Sequence, residues 1–332
     1  MLVERILPLG IKVHELDCLR DKSFDLSAIK TLTRLIREYS PDLVHTHGAL
    51  SGRIAAKRAG KHVVFTRHSG FLSNPFYTKW PGKAIFKFIN ERYADRIIAI
   101  GEICRDDLIS CGVSGLKIDV MLNGTPPLPV LSKQQRDETR REYGIAPDEY
   151  LAGIVGRIEP YKGQMFVVEA ARILKDNGRR LKIIIAGTGS YEGEVKKRAH
   201  ELGLDDVVLF PGFIQDVAPL LNILDVQINA SYIETSSLSL LEGMSIGLPA
   251  IASNESGNPW VIKDGVNGLL FNSRDSESLA AVIARLCDSP ELADTLSAGA
   301  LTVYADKFTC ERFAGDTEAT YLKTLEERSY GQ

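Results

Sequence analysis

The sequence predicts an α/β protein of two doubly wound domains, each a parallel sheet flanked by helices, facing each other across a cleft. Three observations predict it. Short apolar, β-branched runs alternate with segments of helical period along the whole chain, and such alternation builds parallel sheets covered by helices. At 332 residues the chain is too long for one small core, and its length suggests about two domains. The alternation is interrupted at Thr125-Pro-Pro-Leu-Pro, which reads as a linker between two similar halves.

In the first half the expected strands are Ile11 to Leu16, Leu43 to Thr46, Val63 to Phe65, Arg96 to Ile100 and Ile118 to Leu122. Between them a helix is expected over 26 to 38, where Leu26, Ile29, Leu32 and Ile36 mark one face. A charged helical segment over 132 to 143 follows the linker. The second half then places strands at 151 to 155, 181 to 186, 207 to 210, 226 to 229, 249 to 252 and 267 to 271. No repeat of solenoid length and no low-complexity tract is visible.

Apolar residues make up 44% and charged residues 25%, ordinary for a soluble globular enzyme. No run approaches the ~18 apolar residues of a membrane span, and Met1-Leu-Val-Glu-Arg-Ile does not read as a signal peptide. Cys18, Cys104, Cys111, Cys287 and Cys310 are scattered, odd in number and without CxxC spacing. A reducing cytoplasm fits this better than a disulfide framework or a zinc knuckle. Net charge is −3, but residues 1–125 hold 19 Lys+Arg against 13 Asp+Glu, and the rest 21 against 30. A basic half at +6 beside an acidic half at −9 suggests different partners. The excess also reads as solvated surface, and no nucleic-acid partner is expected.

Ligands in doubly wound folds sit beyond the carboxyl ends of the strands, so the chemistry is sought there. In Gly153-Ile-Val-Gly-Arg157-Ile-Glu-Pro-Tyr-Lys162-Gly163 an apolar strand ends in an Arg, and a Lys-Gly follows at a helix start. Two cations and a helix N-terminus make a natural diphosphate site; they read equally as surface cations around a loop. Ile183-Ile-Ile-Ala-Gly187-Thr-Gly189-Ser runs from a strand into a Gly-rich turn. It lacks the third glycine and the acidic residue of a dinucleotide fingerprint, which leaves a close backbone approach to a phosphate or base.

The segment around Glu234 and Glu242 carries the most. A strand over Val226-Gln-Ile-Asn-Ala-Ser is followed by a turn at Tyr232 to Thr235, with Ser236 or Ser237 as N-cap of a helical run Leu238 to Ile246. Glu234 falls before the helix and Glu242 about one turn inside it. An acid amid Leu238, Leu240, Leu241, Met244 and Ile246 costs free energy unless a partner occupies it, and a sugar or ribose diol can donate two hydroxyls to one carboxylate. An exposed position on an amphipathic face is the alternative.

His45 and His47 end one expected strand and His68 the next. They suit metal binding, acid–base work or contacts to substrate hydroxyls. No carboxylate or Cys completes a metal set, His45 reads as structural, and His68 is favoured as functional. Lys79-Trp-Pro-Gly-Lys-Ala-Ile-Phe-Lys-Phe-Ile-Asn-Glu-Arg-Tyr93 interleaves lysines with aromatics. It suits an anionic membrane surface or the border of an acceptor site, and equally a helix packing Ile85, Phe88 and Ile89 inward.

Taken in order, these motifs resemble the family 4 retaining glycosyltransferases of GT-B architecture, with two Rossmann-like domains. The matching positions run from Pro41-Asp-Leu-Val-His-Thr-His, Thr66-Arg-His68 and Asn123-Gly124 to Val155-Gly-Arg157 with Lys162-Gly163 and Ala186-Gly-Thr-Gly189. They continue through Leu209-Phe-Pro-Gly212, the Glu234/Glu242 pair, Glu242-Gly-Met-Ser-Ile-Gly-Leu-Pro249 and Asp264-Gly-Val-Asn-Gly-Leu-Leu270. The resemblance implies an acceptor-side domain over 1–125, a linker over 126–148, a donor domain over 149–310, and a helix over 311–332 crossing back to the first domain.

It also implies roles. Arg157 and Lys162 bind the donor diphosphate, Glu242 the ribose hydroxyls, Glu234 the transferred sugar, and His68 a sugar hydroxyl near the reacting carbon. The N–H groups of Ser237 and Leu238 cap phosphate oxygens, Gly187 lies at the donor, and backbone near Phe213 and Ile214 holds the base. The reaction moves a sugar from a nucleoside-diphosphate donor to a hydroxyl of a sugar or lipid-linked acceptor, with closure about Asn123. No metal or other cofactor is expected, since Arg157, Lys162 and the helix dipole offset the leaving charge and no Asp-x-Asp is present. A cytoplasmic protein peripheral to the inner membrane face is implied.

Three departures accompany the resemblance. Thr235-Ser236-Ser237 stands where the family has Gly-Phe-Gly, and Trp260 stands where a Glu is common. Relative to the family, about one strand–helix–strand unit is absent before Ile11. The competing expectations are a non-catalytic or truncated nucleotide-sugar-binding remnant and, more weakly, a nucleotide-sugar epimerase.

Overall fold

The structure is a computed structural model and describes residues 6–16, 24–69 and 75–327. The first half folds as α1 (Leu26–Tyr39), β1 (Leu43–His47), α2 (Leu50–Arg58), β2 (His62–Arg67), α3 (Gly82–Tyr93), β3 (Arg96–Ile100), α4 (Glu102–Ser110) and β4 (Ile118–Met121). Its strands form one parallel four-stranded sheet in the order β1-β2-β3-β4. Val63, Val64, Ile97 and Ile98 are fully buried, the continuous apolar pattern of parallel strands covered on both faces. Phe65, Ile97 and Ala99 pack on Cys104 and Leu108 of α4. α1 starts where the Asp25 carboxylate accepts from the N–H groups of Ser27 and Ala28 at 2.8 and 3.1 Å, an N-cap that satisfies otherwise orphaned donors.

The second half continues as α5 (Lys133–Glu142), β5 (Tyr150–Val155), α6 (Gln164–Asp176), β6 (Leu181–Ala186), α7 (Glu192–Glu201), β7 (Val208–Gly212), α8 (Ala218–Ile223) and β8 (Val226–Asn229). It ends with α9 (Leu238–Ser245), β9 (Ala250–Ser253), α10 (Asn258–Val261), β10 (Leu269–Phe271), α11 (Ser276–Cys287), α12 (Pro290–Lys307) and α13 (Cys310–Glu326). The six parallel strands take the order β10-β9-β8-β5-β6-β7. Strand order therefore reverses between β5 and β8, and the crevice beyond their carboxyl ends is the place such a sheet offers a ligand.

Two expectations from the first half are corrected. Residues 11–16 form no strand; Ile11 is exposed, and an alternating pattern makes a strand only where a ladder partner takes its N–H and C=O groups. In α3 the residues facing inward are Phe86 and Asn90, whereas Ile85 and Phe88 are exposed and Ile89 half-buried. Helical spacing fixed the stripe but not which stripe meets the sheet. The remaining expected strands fall within two residues of the observed ones.

The halves are joined at two adjacent crossings. Thr125 N–H donates to the Phe308 carbonyl at 3.0 Å, and the Tyr304 hydroxyl donates to the Thr125 carbonyl at 2.7 Å. α13 then returns to the first sheet, where Phe313 and Tyr321 pack against Val64, Ile98 and Met121. Arg96, 3% exposed, holds Asp119 through Nε and Nη2 at 2.7 and 2.8 Å and Glu327 through Nη1 at 2.8 Å. Burial alone would raise the Asp119 carboxyl; the hydrogen bonds and charge of Arg96 outweigh it and hold the group below its ordinary value. Removing one partner of a buried pair leaves a desolvated charge. Asp119→Ala should therefore destabilise the protein by about 3 kcal/mol in urea unfolding.

Candidate active site

The crevice is shaped by two loops that touch. The loop between β5 and α6 reaches Gly163, whose φ of +75° suits glycine and where a Cβ would collide with the Ala230 carbonyl. The Tyr232 N–H bonds the Tyr161 carbonyl at 3.0 Å across the same contact. This passage sets Lys162 Nζ 2.7 Å from Glu234 Oε2, with the side chains 22% and 11% exposed. The second Glu234 oxygen accepts from the Thr235 N–H at 3.1 Å. Behind the loop, the Ser256 hydroxyl donates to the Glu234 carbonyl at 2.7 Å and accepts from the Glu234 N–H at 2.9 Å, while the Gly257 N–H donates to the same carbonyl. Glu234 is thus held at backbone and carboxylate.

Lys162 and Glu234 line a cavity of about 270 Å³ together with Gln164, Ser236, Ser237 and Leu238. The Gln164 amide donates to the Arg157 carbonyl at 2.8 Å, but its buried Oε1 and the buried Ser236 hydroxyl have no partner among the described residues. Orphan polar atoms in a cavity wall are expected where a polar ligand completes them. Ser237 occupies the N-cap position of α9, yet its hydroxyl makes no cap bond and meets the Ser239 hydroxyl at 3.1 Å. The first N–H groups of α9, which have no intrahelical acceptor, therefore stay available at the crevice.

Glu242 lies on α9, half-buried, outside the lining of that cavity. Its carboxylate has no hydrogen-bond partner among the described residues, and burial raises its pKa. Arg157 is exposed and reaches the Tyr161 hydroxyl at 3.1 Å. Gly187 donates its N–H to the Gly212 carbonyl at 2.7 Å, and a Cβ there would collide with the Gly156 carbonyl; its place is a close packing of two loops. Ile214 is half-buried against the cluster of Leu220 and Leu221, while Phe213 is 72% exposed. Trp260 is 54% exposed.

His68 belongs to the other sheet. Its Nε2 lies 2.7 Å from His47 Nδ1, and no hydrogen bond joins it to Lys162 or Glu234. His45, behind them, bonds the Tyr321 and Thr66 hydroxyls, both at 2.6 Å. Burial first, then the charges of His47 and His68, push His45 down to about 4. The domains meet at Thr235, which packs over Gly101; burial pushes the thiol of Cys104, in the helix that follows, up to about 11. A larger recess, about 920 Å³, opens at the amino ends of β5, β6 and β8. Several of its charges are already paired, Arg179 with Asp288 and Arg180 with Asp148, and it lies opposite the strand ends where the candidate residues converge.

Residues 135–302 match the family described as Glycosyl transferases group 1, and residues 5–127 match Glycosyltransferase Family 4. The chain is a family 4 glycosyltransferase of GT-B fold. It is 30% identical over 287 residues to the Bacillus subtilis protein EpsD, a glycosyltransferase by name, covering 82% of this chain and 75% of EpsD. It is 28% identical over 284 residues to an Escherichia coli enzyme named UDP-Gal:alpha-D-GlcNAc-diphosphoundecaprenol alpha-1,3-galactosyltransferase, covering 81% and 72%. A Rickettsia africae glycosyltransferase structure superposes with TM-score 0.85 at 20% identity, over 98% of this chain and 88% of that one. Anabaena HepE in complex with UDP gives 0.81 at 22%, over 89% and 82%; these two likenesses speak to fold.

In this glycosyltransferase the structure brings Lys162, Glu234, Ser237 and Leu238 together, and leaves Glu242, Arg157, Gly187, Ile214 and His68 outside the lining of that cavity. Sequence reasoning missed Gln164 and the clamp from Ser256. Gln164 had a signal, a polar residue in the first helical turn directly after Lys-Gly; the Ser256 contact had none, because it joins separate loops. The raised Glu242 pKa makes a sign-definite prediction. Folding gains from protonation here, fully below the ordinary carboxyl range and lost as pH rises through the raised value. Without ligand, Glu242→Gln should melt at a higher temperature than the parent at pH 7, and the difference should vanish below about pH 4.

Proposed function

We propose that the chain is a metal-independent, retaining transferase that moves a hexose from a nucleoside-diphosphate sugar to a hydroxyl of a sugar or lipid-linked acceptor. The observation that carries the reading is the Lys162–Glu234 pair, which lines a cavity beside the uncapped N-terminus of α9. A diphosphate would take Lys162 as counter-ion, with exposed Arg157 and the N–H groups of Ser237 and Leu238 completing its oxygens. These groups stabilise charge that grows on the leaving diphosphate as the glycosidic bond breaks. Glu234 accepts hydrogen bonds from hydroxyls of the transferred sugar, Glu242 from the ribose, and His68 meets the sugar from the acceptor-side domain. Backbone around Gly187 and Ile214 borders the base. The UDP complex of HepE and the lipid-diphosphate acceptor named for the Escherichia coli relative support the donor and acceptor classes, and a lipid-linked acceptor fits a role in polysaccharide or glycolipid assembly.

The first domain adds a reason to place the acceptor at a membrane. Trp80, Ile85 and Phe88 are exposed at 86%, 46% and 61%, beside exposed Lys79, Lys83 and Lys87. Aromatics flanked by lysines suit the inner face of an anionic bilayer, and no helix among the described residues is long and apolar enough to cross one.

Calorimetry with uridine, guanosine, adenosine and thymidine diphosphates, then transfer assays with the matching sugars, tests the donor reading. Lys162→Ala should weaken diphosphate binding about 10- to 100-fold, the equivalent of a charged hydrogen bond. Glu234→Ala should abolish transfer while diphosphate binding persists; full activity of this variant with every donor would sink the assignment. For the membrane, Trp80→Ala with Phe88→Ala should lower co-flotation with phosphatidylglycerol vesicles and spare binding of the diphosphate.

A further inference from the structure

We propose that His47 is a positioning residue for His68, holding its ring and its tautomer through the Nδ1–Nε2 hydrogen bond. This rests on the reading above that His68 meets a sugar hydroxyl. Parallel pairing aligns His47 with Thr66, so the last residue of β1 lies beside the backbone that carries His68. Their rings stack at 5.0 Å and 25°, and the nitrogens are 2.7 Å apart.

A contact of that length between two imidazole nitrogens holds one hydrogen. If His47 donates, His68 must carry its own hydrogen on Nδ1 and offers the cleft a donor. If His68 donates, its Nδ1 is a bare acceptor. Either way His47 decides what His68 presents.

His47 is itself braced. His45 packs behind it at 4.5 Å between ring centroids, and both His45 nitrogens are engaged, by the Tyr321 hydroxyl of α13 and the Thr66 hydroxyl of β2. Among the described residues, the titratable groups that face the pair are His45, on β1, and Tyr321 beyond it. Burial first and the charge of His47 second lower the His68 pKa. Removing His47 deletes the second cause, so His68 should titrate at higher pH.

The test uses the full chain and the variants His47→Ala, His47→Asn, His68→Ala and the His47→Ala/His68→Ala double. His47→Ala should lower kcat by about 10- to 100-fold, the scale of a misplaced contact, with the donor KM within about twofold. The Asn amide can reach the Nδ1 position, so His47→Asn should recover most of the loss. The double variant should be no worse than His68→Ala, since His47 acts through His68. Imidazole nitrogen NMR without any ligand should show the His68 titration moving upward in His47→Ala. Losses that multiply in the double variant, or an unmoved His68 titration, overturn the proposal. Full transfer by His68→Ala overturns the His68 assignment and this proposal together. If no sugar of the panel is transferred, the proposed function fails and the NMR titration alone decides whether His47 sets the state of His68.

Discussion

The donor end of the molecule depends on one close passage, the loop leaving β8 crossing the loop that enters α6 at Gly163. Adjacent parallel strands with reversed order send their connections to opposite faces, which opens a crevice but by itself brings no side chains together. A residue with a Cβ at 163 would hold the loops apart at the Ala230 carbonyl. With glycine there, Tyr161 and Tyr232 exchange a backbone hydrogen bond, and Lys162 and Glu234, 72 positions apart, form an ion pair. The pair is largely shielded from solvent, so it persists on geometry: leaving either charge unpaired in that setting costs more than bringing the two together gains.

The two glutamates of one short motif live in opposite environments, and the contrast separates their proposed roles. Glu234 has its partners within the protein, from Lys162, Thr235 and the Ser256 clamp. Its direction is set before any donor arrives, as positioning a sugar requires. Glu242 sits half-buried with burial opposing its charge, and Gln164 Oε1 and the Ser236 hydroxyl are orphaned in residues that line the cavity. These groups stay costly until hydroxyls or phosphates complete them. Part of the binding free energy of a donor is then relief of this cost, and a site of this kind trades stability of the empty protein for affinity.

Much of the fold was legible because parallel strands buried on both faces read as short apolar runs at regular spacing, as at Ile97-Ile98-Ala99 and Ile183-Ile184-Ile185. The pattern misled at Ile11 to Leu16, where alternation was present but no ladder partner is found among the described residues, and at α3, where the apolar stripe of Ile85 and Phe88 is turned outward. Both errors concern tertiary context, which periodicity does not contain. In the site, the ordered motifs located Lys162, Glu234 and the start of α9, since each follows a strand directly. Sequence spacing did not reveal that Gly187 spends its N–H on Gly212 or that Ser237 leaves its helix uncapped. It left the bond between His47 and His68 unread too, because register between strands decides it.

The departure from Gly-Phe-Gly at residues 235–237 acquires a physical meaning from the contact between domains. Both chain crossings lie together, tied by the Thr125–Phe308 and Tyr304–Thr125 hydrogen bonds, and α13 fastens the second half to the first sheet through Arg96 and Glu327. A rotation of one sheet against the other has to turn about those crossings. At the cleft the first domain is touched by Thr235, the residue after Glu234, at Gly101. A glycine there would bring no methyl group over Gly101. The loop that holds Glu234 therefore packs on the domain that carries His68 through a side chain the Gly-Phe-Gly pattern lacks. Any opening of the cleft must either part Thr235 from Gly101 or carry the glutamate loop with it.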